Sequence, residues 1–270
     1  MQTLNNNQKI HYTLRFAAAM CFIGHGAFGI VTKPIWCNYF ALFGIDKVHA
    51  YQLMPVLGAV DILMGLVLLF IPVRAITVWL VIWGIVTAAC RPLSGESFAE
   101  FIERAGNYGA PLVLLVLAGG IKWNFKWLFS TVNPQEPVPE KSLARAKLIL
   151  RFTVFLLLVG HSWLNLIQKP GLINQYTALG FSNPVNMSLL AGIFEIMAAM
   201  AVLVKPVRPL IVVFLIWKMG TELFYPHFEI FEWVERAGSY GTILALWLCL
   251  DPTYKTANGF INQRTFSVDQ

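Results

Sequence analysis

Apolar residues run through this chain in continuous stretches rather than in alternation. The stretches fall at roughly 13–31, 50–71, 73–91, 104–121, 146–167, 186–204, 208–225 and 236–250. A bilayer-crossing helix needs about 20 predominantly apolar residues. Unbroken hydrophobicity, without a period of two, points to helices and away from a β-barrel. The pattern predicts an all-α integral membrane protein with eight transmembrane helices. Composition agrees, because 57% of the 270 residues are hydrophobic and only 13% are charged, whereas soluble domains carry about 25% charged residues.

The polar positions inside this pattern occur twice. Glu100 to Gly109 reads EFIERAGNYG, and Glu232 to Gly241 reads EWVERAGSYG. Arg15, Gly24-His25 and Lys33-Pro34 are matched by Arg151, Gly160-His161 and Lys169-Pro170, 136 residues later. Asp61, Pro72, Arg74 and Trp83 match Glu195, Pro206, Arg208 and Trp217 at an offset of 134, and Glu103, Arg104 and Tyr108 match Glu235, Arg236 and Tyr240 at 132. A period this long reads as domain duplication rather than a solenoid. Four spans per copy give both copies the same orientation, so the expected architecture is two parallel four-helix repeats related by an axis along the membrane normal. The boundaries expected are residues 1–121 and 146–250 for the repeats, a cytoplasmic linker at 122–145 and a polar tail at 251–270. Pro134, Pro137 and Pro139 argue against a continuous helix in the linker. Trp123 and Trp127 with Lys122 and Lys126 look like an interfacial anchor.

Charge then sets topology. The net charge is +6, and in this setting it predicts orientation rather than nucleic-acid binding. The N-terminus, the loops after spans two, four and six, and the C-terminus share one side, which holds 13 of the 20 Lys and Arg residues. The positive-inside rule places that side, with both termini, in the cytoplasm. A multi-pass protein of the cell (inner) membrane is expected, without a cleavable signal peptide. Cys21, Cys37, Cys90 and Cys249 form no C-x-x-C pair and do not match between copies; they read as buried small hydrophobes.

Two matched pairs of polar residues within the spans carry the candidate chemistry. Asp61 and Glu195 lie near the middle of spans two and six. A carboxylate at the bilayer centre costs at least about 2.5 kcal/mol and normally faces protein or a water cavity. Gly58 and Gly65 beside Asp61, with Gly192 and Ala199 beside Glu195, let another helix come close. His25 and His161 sit in the outer halves of spans one and five. They could be metal ligands with the carboxylates, ligate a haem between the copies, or pass protons to a quinone. No H-x-x-E or H-E-x-x-H occurs on any helix. Glu103, Arg104 and Tyr108, with Glu235, Arg236 and Tyr240, open spans four and eight and form a candidate outward-facing binding pocket. Acidic residues at a helix start also suit the macrodipole, so this segment has a purely structural reading as well. Glu96, Glu100, Glu222, Glu229 and Glu232 make the same side acid-rich. Lys33-Pro34 and Lys169-Pro170 read as helix ends with snorkelling lysines.

These motifs resemble the DoxX-like superfamily of small four-helix membrane proteins. In that pattern the first helix begins with Arg and carries a Gly-His or similar step before a Lys, as at Arg15, Gly24-His25 and Lys33, and again at Arg151, Gly160-His161 and Lys169. An acidic residue before a Gly-aromatic-Gly-like stretch opens the last helix, as in Glu103 to Gly109 and Glu235 to Gly241. The resemblance covers about 13–121 and 146–250 separately and implies a fused tandem version. It also implies membrane redox work, since one member is a subunit of a thiosulfate:quinone oxidoreductase. On that reading His25, His161, Asp61 and Glu195 bind or protonate a quinone, haem or metal-linked group, and a redox partner protein supplies further cofactors. A proton-coupled small-molecule transporter or exporter is one alternative, because parallel repeats and midplane carboxylates suit transport. A non-enzymatic assembly factor is another.

Overall fold

The computed structural model describes residues 4–122, 124–223 and 230–251. Trp123, Glu229 and the tail beyond Asp251 lie outside the described residues. Among those described, the chain is all-helical: α1 Asn6–Ile30, α2 Trp36–Ala41, α3 Lys47–Phe70, α4 Arg74–Leu93, α5 Ala99–Glu103, α6 Ala105–Leu117, α7 Phe125–Leu128, α8 Glu140–Leu166, α9 Pro170–Ala178, α10 Pro184–Val204, α11 Arg208–Leu223, α12 Ile230–Glu235 and α13 Ala237–Cys249. Each apolar stretch of the sequence is helical. Four helices are long and apolar enough to cross a bilayer: α1, α3, α4 and α10.

Several ends differ from the sequence expectation for local reasons. α1 starts at Asn6 because Asn5 and Gln8 form a capping box, each side chain accepting from the other's backbone N–H. α8 starts at Glu140, directly after the last linker proline. Asp46 caps α3 by accepting from Val48 N and His49 N. Pro170 begins α9 instead of only ending what precedes it, because the first helical position needs no N–H. The linker contains the short helix α7, and Arg74 holds it at Ser130 Oγ and Thr131 O.

α1 and α8 end alike. Lys33 N donates to Phe28 O at 3.1 Å and Thr32 N to Gly29 O at 3.1 Å. Lys169 N donates to Leu164 O and Gln168 N to Asn165 O, both at 3.0 Å. This is the Schellman pattern, normally built on glycine. Here Thr32 (φ 54°) and Gln168 (φ 56°) hold the left-handed position, and the reversal sets the two following lysines on defined paths. Arg15 and Arg151 are equally constrained. Arg15 donates to Leu68 O and Leu69 O, and Arg151 to Val202 O and Val204 O, so each guanidinium caps the carbonyl end of the neighbouring long helix.

The core lies where α1, α6, α8 and α13 meet, around Leu14, Leu150, Leu157, Ala110 and Ile243. The two halves of the chain interlock there. α1 packs on α12 and α13, and α8 packs on α5 and α6. Gly106 and Gly238 mark the crossing of α6 and α13, where a Cβ on Gly106 would stand 2.5 Å from Ser239 N. α1 meets α3 through Gly26, Gly29 and Gly58, and a Cβ on Gly29 would lie 2.7 Å from Gly58 Cα. A methyl group at Gly58 would press on the carbonyl of Gly26. Gly58→Ala is therefore expected to destabilise the protein by about 1–3 kcal/mol through overpacking, read as a lower midpoint in thermal unfolding. An unchanged midpoint would contradict this packing.

Candidate functional site

The close α1–α3 contact brings His25 and Asp61 together, with His25 Nδ1 lying 2.8 Å from Asp61 Oδ2. The α8–α10 contact does the same for His161, whose Nδ1 lies 2.7 and 2.8 Å from the two oxygens of Glu195. The four His and carboxylate candidates thus form two dyads, each tied within its own half. Asp61 is 1% exposed and Glu195 fully buried, so each carboxylate depends on its donors. With Nδ1 donating to the carboxylate, Nε2 is the ring nitrogen left for other chemistry.

One methylene separates the two dyads. Glu195 reaches beyond His161: its Oε1 accepts from Trp217 Nε1 at 2.9 Å and its Oε2 from Asn165 Nδ2 at 3.2 Å. Tyr176 donates to Asn165 Oδ1 at 2.9 Å and closes the network. Asp61 makes no bond to Trp83, the match of Trp217, and Trp83 Nε1 is buried without a partner. The residue 136 before Asn165 is Gly29, so that donor is missing too.

A cavity of about 300 Å³ adjoins the His25 dyad. Phe28, Trp36, Tyr39 and Trp83 form its apolar wall; His25, Arg91, Arg104, Asn107 and Glu235 bring polar groups to it. The Trp36 ring lies 4.7 Å from the His25 ring. Asn107 is 9% exposed, and its Oδ1 is buried without a partner. Glu235 is 4% exposed and has no hydrogen bond or ion pair to any described residue. Buried polar atoms are normally satisfied, so an indole N–H and an amide oxygen left open around one cavity describe a place for a ligand. A much smaller cavity, about 10 Å³, touches His161 in the other half.

The paired Glu-Arg segments form an ionic cluster at the same end of the bundle. Glu103 accepts from Arg236 Nη1, from Lys218 Nζ at 3.3 Å and from Arg104 Nη1 at 3.1 Å. Arg104 also holds Glu100 at 2.7 Å. The helix-end lysines cross between halves: Lys33 reaches Glu232 at 2.9 Å, and Lys169 reaches Glu100 at 2.6 Å. They are thus ion-pair partners and not only snorkelling ends. Tyr108 and Tyr240 stand apart from this pocket. Tyr108 stacks on Phe101 at 5.7 Å, and Tyr240 lies 5.3 Å from Trp233. Of the six pocket candidates, Arg104 and Glu235 line the larger cavity, and Glu103 and Arg236 line the smaller.

Glu100 and Glu232 precede the apolar helices α6 and α13 and respond to the charges around them. Burial alone would raise both carboxyls. Arg104, Lys169 and Arg91 outweigh it at Glu100, and Arg236, Lys33 and Arg104 at Glu232, leaving both at about 2 against an ordinary 4.5. The folded values are depressed, so their stabilisation is full above pH 4.5 and is lost as pH falls toward 2. Thermal unfolding is expected at steadily lower temperature below pH 4.5, with the trend weakened in the Glu100→Gln/Glu232→Gln variant. A flat profile in the parent protein would contradict these pairs.

Sequence reading missed Lys218 and Asn107, and named Trp83 only as a matched residue and Glu222 only as part of the acid-rich side. A signal for Lys218 and Glu222 was present in the offsets: the residues 134 before them are Gly84 and Ala88, so the second copy carries two charges where the first has none. Among the described residues, no three His, Cys, Asp or Glu side chains gather as a metal site. No protein-family model, curated protein or solved structure matches this chain.

Proposed function

We propose that this is a redox-associated membrane protein of the DoxX-like kind, which holds the ring of a quinone in the cavity beside His25. The carrying observation is that cavity: apolar aromatic walls, one His–Asp dyad and two buried polar atoms without partners, Trp83 Nε1 and Asn107 Oδ1. About 300 Å³ matches the lower range of small-molecule sites, which are mostly apolar with a few placed polar groups. The duplication reading, with eight spans in two parallel repeats, is supported by the matched dyads, matched helix ends and exchanged lysine pairs. Apolar side chains exposed on α3 and α10, such as Leu63, Leu190 and Ile193, suit lipid rather than water. On this reading the protein lies in the inner membrane with both termini cytoplasmic, and the ionic cluster faces outward.

A quinone takes up two electrons and two protons on reduction, and the electrons here come from a redox partner protein at the membrane. The chain supplies position and protons. Trp83 Nε1 offers a hydrogen bond to a ring oxygen, and Asn107 Oδ1 accepts one from a quinol hydroxyl. His25 exchanges a proton through Nε2, while Asp61 steadies the charged imidazole that results. Trp36 packs the ring side of the site. Transport is less well supported, because neither Asp61 nor Glu195 lines either cavity.

Solvent extraction of protein purified from membranes tests the proposal. Bound quinone is expected in the parent protein and is expected to fall at least about tenfold in His25→Ala, the loss of one good polar contact and its proton site. Metal and haem content measured on the same samples discriminates the other redox readings. No quinone in the folded parent, or equal quinone in His25→Ala, would overturn it.

A further inference from the structure

The two cavities are built from matching residues. His25, Lys33, Thr87, Arg104 and Glu235 line the larger; His161, Lys169, Thr221, Arg236 and Glu103, their sequence matches from the opposite half in each case, line the smaller. The volumes nevertheless differ, at about 300 Å³ against about 10 Å³. Two substitutions on one helix face contribute to the difference, beside the exchange of Trp36 and Tyr39 for Leu172 and Gln175. Ala88 lines the larger cavity where Glu222 lines the smaller, and Gly84, four residues earlier and so one turn away, holds the place of buried Lys218. Lys218 is fully buried, and its ammonium joins Glu222 to Glu103. Glu222 in turn lies 3.7 Å from Arg236 Nε.

Glu103 thus receives a donor from the chain itself, and Arg236 a neighbouring carboxylate, although its Nε has no hydrogen bond. Their matches in the larger cavity have neither group, since Gly84 and Ala88 stand in those places. Glu235 has no hydrogen bond or ion pair to any described residue, and Arg104 commits only Nη1 in its hydrogen bonds to Glu100 and Glu103. Asn107 stands beside them with its Oδ1 unpartnered. The larger cavity is the same site with its filling removed.

We infer that Lys218 and Glu222 are a built-in stand-in for a ligand, so that the chain has one working site and one permanently filled copy of it. The stand-in also states what the ligand presents: a hydrogen-bond donor toward Glu235 and an acceptor oxygen toward Arg104, on a body flat and apolar enough for Trp36 and Trp83. A quinol hydroxyl with a ring oxygen meets this description, and to that extent the inference rests on the quinone reading. Glu235 and Arg104 become the residues that set specificity, with Glu235 favouring the reduced, hydroxyl-bearing form.

Reciprocal grafts in the full chain test this. In a background with Cys21, Cys37, Cys90 and Cys249 replaced by alanine, Thr87→Cys and Thr221→Cys report access to the two cavities by N-ethylmaleimide labelling, read by mass. Thr87→Cys is expected to label at least tenfold faster than Thr221→Cys. Adding Lys218→Gly/Glu222→Ala is expected to remove that difference, and adding Gly84→Lys/Ala88→Glu to protect Thr87→Cys. Binding of 2-methyl-1,4-naphthoquinone and of its quinol is measured in parallel, with one equivalent expected in the parent, two after opening and none after filling. Equal labelling of the two cysteines in the parent overturns the inference. So does an unprotected Thr87→Cys in folded Gly84→Lys/Ala88→Glu, which keeps the test available if the opened variant does not fold. The expected labelling pattern with no binding of either naphthoquinone form keeps the filled-copy inference and overturns the quinone reading.

Discussion

Glu103→Gln is expected to destabilise the protein by about 3–5 kcal/mol, while Glu235→Gln, at the matching place, is expected to change stability by less than about 1 kcal/mol. The difference comes from partners. Glu103 is the acceptor shared by Arg236, Lys218 and Arg104. Without its charge, a fully buried Lys218 keeps only Glu222, and Arg236 is left with weaker contacts to Glu222 and Glu232 at 3.7 and 3.4 Å. Breaking a buried pair by removing one member costs about 3–5 kcal/mol, because the surviving charge is stranded. Glu235 has no hydrogen-bonded partner to strand, so a neutral amide of nearly the same volume is tolerated. Its loss is expected in ligand retention instead. Denaturant unfolding in detergent gives the two stabilities. Equal destabilisation of both variants would contradict the difference between the halves.

Gly24→Leu and Gly160→Leu are expected to destabilise by about 3 kcal/mol or more, at the upper end of overpacking effects. A Cβ on Gly24 would press on the backbone nitrogen of Glu235, and one on Gly160 on the backbone nitrogen of Glu103. Backbone cannot step aside as a side chain does, so the long helix of one half must part from the short helix of the other. The consequences then diverge. Gly24→Leu displaces Glu235 from the larger cavity and is expected to abolish ligand binding. Gly160→Leu disturbs the ionic cluster and is expected to lower the unfolding midpoint while the larger cavity keeps its ligand. Thermal unfolding and naphthoquinone binding, measured on the same preparations, separate the two effects.

Much of this was legible in the residues. Continuous apolar stretches predict helices because a helix satisfies its own backbone, and every stretch proved helical. His25, Asp61, His161 and Glu195 stood out because polar groups in apolar helices need partners, and each found the partner its neighbouring glycines allowed. What could not be read was the pairing between halves. Sequence shows Lys33 beside Pro34 and Glu232 beside Trp233, but nothing local says that Lys33 meets Glu232. That contact depends on the reversal at Thr32 and on the close approach at Gly24. The division of the Glu-Arg-Tyr segment was hidden for the same reason. Its spacing suggests one pocket, whereas interlocking sends Glu103 and Arg104 to different cavities and turns Tyr108 onto Phe101. Lys218 was overlooked, and Glu222 read only as part of an acid-rich side, because matched residues drew attention and mismatched ones did not.

Naphthoquinone titration of His25→Ala and His161→Ala, followed by tryptophan quenching beside Trp36 and Trp83, tests the one-site reading most directly. His25→Ala is expected to weaken binding at least about tenfold, a change of about 1.4 kcal/mol, and His161→Ala to leave it within about twofold. Equal weakening by both variants, or by neither, would contradict it.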